Sequence, residues 1–152
     1  MTTKTPARRS TRRTQPTTPT DQQRFEAVFA DLAAAGVAFW FDLRGSTGVR
    51  EDRYDDYVRI AELAGTDLWV GEHVGNRDTG GAYWGDDGVL YGGARPNRDY
   101  PVRQLWWSFN HEHPALAGLL VHLFQAHGID AWWSGVTYDS VSVRLGPRPI
   151  AV

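Results

Sequence analysis

The sequence predicts an α+β domain: a largely antiparallel sheet of five to seven strands with about three helices, preceded by a basic tail. Three observations predict it. Apolar residues recur at helical spacing in two stretches, Phe25/Val28/Phe29/Leu32 and Leu116/Leu119/Leu120/Leu123/Phe124. Between and after these helices lie short runs rich in Val, Trp and Phe, of strand length. Turn signals too short for crossovers, Asp86-Asp87-Gly88 and Ser134-Gly135, join some of the runs into hairpins.

The first helix opens at Thr20, where Gln23 stands three residues on in a capping-box pattern, and stops at Gly36. Val37–Leu43 reads as a buried strand and Arg44–Gly48 as a loop. A second helix is expected over about Arg53–Ala64, with Tyr54, Tyr57, Val58 and Ala61 on one face and Gly65 ending it. Asp67–Val74 is the next strand, and Gly75–Gly81 is punctuation. Ala82–Gly85 and Val89–Gly92 form a hairpin, Arg95–Pro101 a polar loop, and Val102–Asn110 a strand. Pro114 opens the last helix at its first position, where a missing N–H costs nothing, and Gly128 closes it. Ile129–Trp133 and Val136–Leu145 end the domain as a hairpin, and Val141, Val143 and Leu145 alternate there with Ser142 and Arg144.

Composition divides the chain in two. Residues 1–20 are rich in Thr, Arg and Pro and have no apolar period, so no helix or core can form from them and disorder is expected. They carry Lys4, Arg8, Arg9, Arg12 and Arg13 with no acid, +5, whereas residues 21–152 carry 11 Arg against 18 acids, −7. Such a tail can bind polyanions weakly or serve only to keep the chain dissolved. The 132 residues from Asp21 onward suffice for one core and not two. With no cysteine there is no disulfide, no thiolate metal site and no cysteine nucleophile. No apolar run reaches the roughly 20 residues of a membrane span, and the N-terminus has no apolar core of a signal peptide, so a cytoplasmic location is expected.

The opening phrase Phe25–Phe29 with Leu32 and Gly36-Val37 resembles an uncharacterised family of small bacterial α+β proteins. The same resemblance runs through His73, Asp78-Thr79 and Val89–Gly93, then through Leu123, His127–Ile129, Trp133–Gly135 and Val141–Val143. It covers residues 24–145 and implies the fold, but no activity. Members carry a cysteine-rich stretch after the first strand; Asp42–Arg50 has none here, so the resemblance implies no metal role for that segment.

Several residues are candidates for chemistry. His111 and His113 stand at i and i+2, on one side if the strand continues, and would supply half of a metal site, with a third ligand from His73 or Glu72; two ligands do not make a site, and no metal is expected. The competing reading is a polar turn in which Asn110 or His113 caps the helix at Pro114. Glu72, His73 and Asp78, with Asp42, lie near strand ends, where a His–carboxylate pair can act as general acid and base. No serine sits in a nucleophile elbow, and Arg44–Gly48 lacks the lysine and spacing of a phosphate loop.

The tryptophans, seven in all, are more informative. Trp106-Trp107 and Trp132-Trp133 are adjacent pairs in expected strands, and successive strand residues face opposite sides. One of each pair is therefore expected in the core and the other on the far face, as a binding surface for a protein partner or a second copy. The alternative is a sheet covered on both faces.

These features favour a non-enzymatic binding or interaction module without cofactor, with an acidic inhibitor of a basic partner, of the immunity-protein kind, as one form. The rival is a small hydrolase or metal-dependent enzyme using Glu72, His73, Asp78 and the 111–113 cluster. A third reading, nucleic-acid binding by the tail with tryptophan stacking, is opposed by the acidic body.

Overall fold

The computed structural model describes residues 18–43, 62, 65–72, 74, 81–93 and 100–146. The basic tail before Thr18, the helix expected over Arg53–Ala64 apart from Glu62, and the candidates His73 and Asp78 lie outside the described residues.

Helix α1 spans Asp21–Ala34. The Thr20 hydroxyl accepts the Gln23 amide at 3.1 Å while the Gln23 side chain accepts the Thr20 amide at 2.9 Å, so the capping box forms. Phe25, Val28 and Leu32 are its buried stripe. Helix α2 spans Ala115–Ala126 and buries Leu116, Ala117, Leu120, Leu123 and Phe124. Pro114 is the residue just before it, and no side chain caps it. Asn110 instead accepts the Glu112 amide and donates to the Asp67 carbonyl, so the expected cap becomes a tie between this turn and the start of β2 (Trp69–Glu72).

The strands form two sheets, not the single sheet of five to seven strands that the sequence suggests. The main sheet contains β1 (Ala38–Phe41), β2, β6 (Gln104–Phe109), β7 (Asp130–Trp132) and β8 (Val141–Arg144), in the order β1-β2-β6-β8-β7. Its β1–β2 pair is parallel and its other three pairs are antiparallel. The second sheet is β3 (Ala82–Trp84), β4 (Leu90–Gly92) and β5 (Tyr100–Pro101), all antiparallel. The separation has a simple cause. β4 uses one edge on β3 and the other on β5, so it has no edge left for the main sheet. β5 comes from a stretch read as polar loop, and Pro101 suits it because an outermost strand needs no ladder amide there.

The closing hairpin is shorter than its apolar pattern. β7 stops at Trp132, β8 starts at Val141, and Val136–Ser140 forms a loop. The Trp133 indole N–H holds that loop by donating to the carbonyls of Val136 and Asp139, each at 3.1 Å, and Ser134 donates to Asp139 at 2.7 Å. Local side-chain bonds have displaced the ladder.

Both helices cover one face of the main sheet. Phe39, Phe41, Val70, Leu105, Trp107, Phe109, Ala131, Val141 and Val143 meet them there in one cluster. The centre is aromatic: Phe25 lies 5.2 Å from Phe124 and 5.3 Å from Trp84, and Phe41 stacks on Trp107 at 5.5 Å. Each such side chain is worth about 1.5–3 kcal/mol in burial alone. Trp84 and Leu90 bring the second sheet into the same core. A second tie joins the Gln22 amide to the Gly88 carbonyl at 3.1 Å. Gly88 sits at φ 75° directly against Thr20, where a Cβ would collide.

Candidate functional site

The far face of the main sheet is where register, exposure and side-chain chemistry converge. In β6 the burial alternates, with Leu105, Trp107 and Phe109 inward and Gln104, Trp106 and Ser108 outward. In β8 Val141 and Val143 are buried while Ser142 and Arg144 face out, and in β7 Ala131 is buried between Asp130 and Trp132. Register then sets two rows across three strands. Trp106 pairs with Ser142, which pairs with Trp132; Gln104 pairs with Arg144, which pairs with Asp130. Two indoles thus flank a small hydroxyl, and one pleat away a guanidinium stands between an amide and a carboxylate. Trp106 is 47% exposed and Trp132 is 65% exposed. A concavity of ≈ 550 Å³ opens here, bounded by these six residues with Ala131 and Gln125, whose side chain donates to the Ala131 carbonyl at 3.0 Å.

The other end of the same face is closed. Trp69 is 4% exposed and packs with Ala38 and Trp40. Wide apolar exposure on this face is therefore confined to the β6–β8–β7 end among the described residues.

A buried carboxylate anchors the open end. Glu72 is 2% exposed at the end of β2, and its Oε2 accepts the backbone N–H of Trp106 at 2.5 Å. The β2–β6 ladder pairs Val70 with Phe109 and Gly71 with Ser108 and then stops. The Glu72 side chain takes the amide that a further rung would have served, which fixes the backbone carrying Trp106.

The two members of each tryptophan pair have different surroundings. Trp107 is fully buried, whereas Trp106 is outward. Trp132 is outward, and Trp133 lies just past the strand, half-buried against Phe109 at 5.9 Å and committed to its loop. The histidines diverge. His113 Nε2 meets the Asp67 carboxylate at 2.9 Å, while His111 packs edge-on to Tyr138 at 4.9 Å and Phe109 at 5.3 Å. Among the described residues no three His, Asp or Glu side chains come together as metal ligands. The His113 bond holds the Asp67 carboxyl below its ordinary 3.8. Likewise the Tyr91 hydroxyl, 2.7 Å from Asp87, lowers that carboxyl and is itself raised.

A second concavity, ≈ 670 Å³, lies beside Arg24, His127 and Gly128. Its polar groups hold the helices together: Arg24 donates to the Gly128 carbonyl at 2.7 Å, and His127 meets Asp31 at 2.7 Å. That is a structural use.

Ser142, Arg144, Gln104 and Asp130 were missed as site residues. The alternation at Val141–Arg144 signals an outward Ser142 and Arg144, but the strand order that brings them between two tryptophans is not in that signal. Comparison with known proteins finds no matching family model, no matching curated sequence and no matching solved structure. No helix among the described residues is long and apolar enough to cross a membrane.

Proposed function

We propose that the domain is a non-enzymatic binding module that takes a protein partner on the β6–β8–β7 face. One observation carries the reading: two solvent-exposed tryptophans stand in register on either side of Ser142. Exposed indoles with polar neighbours are the usual anchors of interfaces, because they bury large area at little entropic cost. The −7 charge of residues 21–152 favours a basic partner, as for an acidic inhibitor or immunity-type protein. Of the residues considered for an enzyme, Glu72 spends an oxygen on the backbone of β6, which is a positioning role.

The test is a pull-down from the native host with wild type and a Trp106→Ala/Trp132→Ala double variant. The variant is expected to melt like wild type and to lose a partner that wild type retains, each anchor contributing about 2 kcal/mol or more. Capture of the same proteins by both, with the variant folded, would overturn the reading.

A further inference from the structure

The spacing of the two indoles defines what kind of segment the face accepts. Trp106 and Trp132 sit on strands separated only by β8, so their backbones are two inter-strand steps apart, about 9.6 Å. One turn of a polyproline II helix is three residues at about 3.1 Å each, about 9.3 Å. Resting on the binding-module reading, we infer that this face recognises a basic, proline-rich segment of another protein, with prolines three residues apart, lying across β6, β8 and β7.

Each part of the site has a use in that arrangement. The two proline rings rest on the two indoles, and Ser142 between them is small enough to let the intervening residues pass. A polyproline II backbone makes no internal hydrogen bonds, so its carbonyls are open to donors. Gln104 and Arg144 supply donors in the adjacent row. Proline-rich ligands arrive with little conformational entropy to lose, which suits a shallow aromatic groove. The acidic body selects for a basic segment and against nucleic acid, although indoles also stack on bases. The chain has one such spacing of its own, Pro16 and Pro19 behind Arg12 and Arg13. Its second proline is tied down, however: the Pro19 carbonyl accepts from Arg24 at 3.2 Å, next to the capping residue of α1. A separate protein is therefore the source.

The full-length protein is titrated with a synthetic peptide carrying one arginine and three prolines at every third position, followed by indole N–H signals in NMR. Expected is saturable movement of the Trp106 and Trp132 signals, with about tenfold or greater weakening in Trp106→Ala and in Trp132→Ala, both still folded. A peptide of equal composition with prolines two apart is expected to bind at least about tenfold more weakly. Equal binding of the two peptides, or binding that neither substitution weakens, overturns the inference. So does preferential binding of a neutral oligosaccharide or single-stranded DNA, or a concentration-dependent mass that Pro16→Ala abolishes, which would seat a second copy there. Should the peptide fail while the double tryptophan variant still loses its host partner, the segment class falls and the binding module stands.

Discussion

At residue scale, the polar side chains that bridge distant segments work mostly as ties within the fold. His113 joins the turn before α2 to Asp67 at the head of β2, and Asn110 joins the same two places through backbone groups. The His113–Asp67 pair is exposed, and its Coulomb attraction is weak in water. Its effect on stability is therefore small, and its clearest signature is a titration. A carboxyl held low by a partner stabilises the fold above its unfolded value, and that contribution disappears as pH falls through the lower folded value. For Asp67 that window lies in acid, below 3.8. Replacing His113 with Phe is expected to bring the Asp67 titration, followed by carbon-detected NMR, back up toward 3.8. An unmoved Asp67 would show that the ring is not the cause.

At the scale of an element, β6 contains both halves of the argument in two neighbouring residues. Trp107 is sealed against Phe41 at 5.5 Å and Phe124 at 5.7 Å, and Trp106 faces water. Trp107→Ala leaves a large cavity, and the expected loss is about 3–5 kcal/mol. Trp106→Ala removes a side chain nearly half exposed and is expected to lose about 1 kcal/mol or less. Urea denaturation of the two variants measures the difference. Equal losses would mean that the far face is as enclosed as the core, and the binding surface would lose its basis. Trp107→Phe is expected to fall between them, because the Trp107 Nε1–H has no hydrogen-bond partner among the described residues to forfeit.

For the whole molecule, the two sheets belong to one core. Leu90 from the second sheet is fully buried in the same cluster as Trp107, and Trp84 lies against Phe25. The Ala82 amide donates to the Leu43 carbonyl at 2.7 Å just past β1, so a backbone bond also crosses between the sheets. Elements that share one core unfold together. Leu90→Ala is expected to cost about 2–5 kcal/mol and to lower the midpoint equally for amide-exchange probes in β4 and in β8. Separate midpoints would mark the second sheet as an independent unit.

The sequence by itself determined the parts whose signals are local. The capping box at Thr20 and Gln23, the stripes of α1 and α2, the hairpin at Asp86-Asp87-Gly88 and the alternation of Val141–Arg144 each depend on a few consecutive residues, and each forms. Period 2 alone placed Trp106 and Trp107 on opposite sides of a strand. Only the tertiary structure decided what lies beside what. Ala82–Gly85 and Val102–Asn110 read alike as strands, but hydrogen-bond pairing sends them to different sheets. Trp132 and Trp106 are far apart in sequence, and β8 brings them into one row because it pairs with both neighbours at Ser142. Sequence places Glu72 near a strand end as a candidate carboxylate; only the early stop of the β2–β6 ladder shows that its side chain accepts the Trp106 amide. Periodicity fixes which way a side chain points, whereas strand order, a property of long-range pairing, chooses its neighbours.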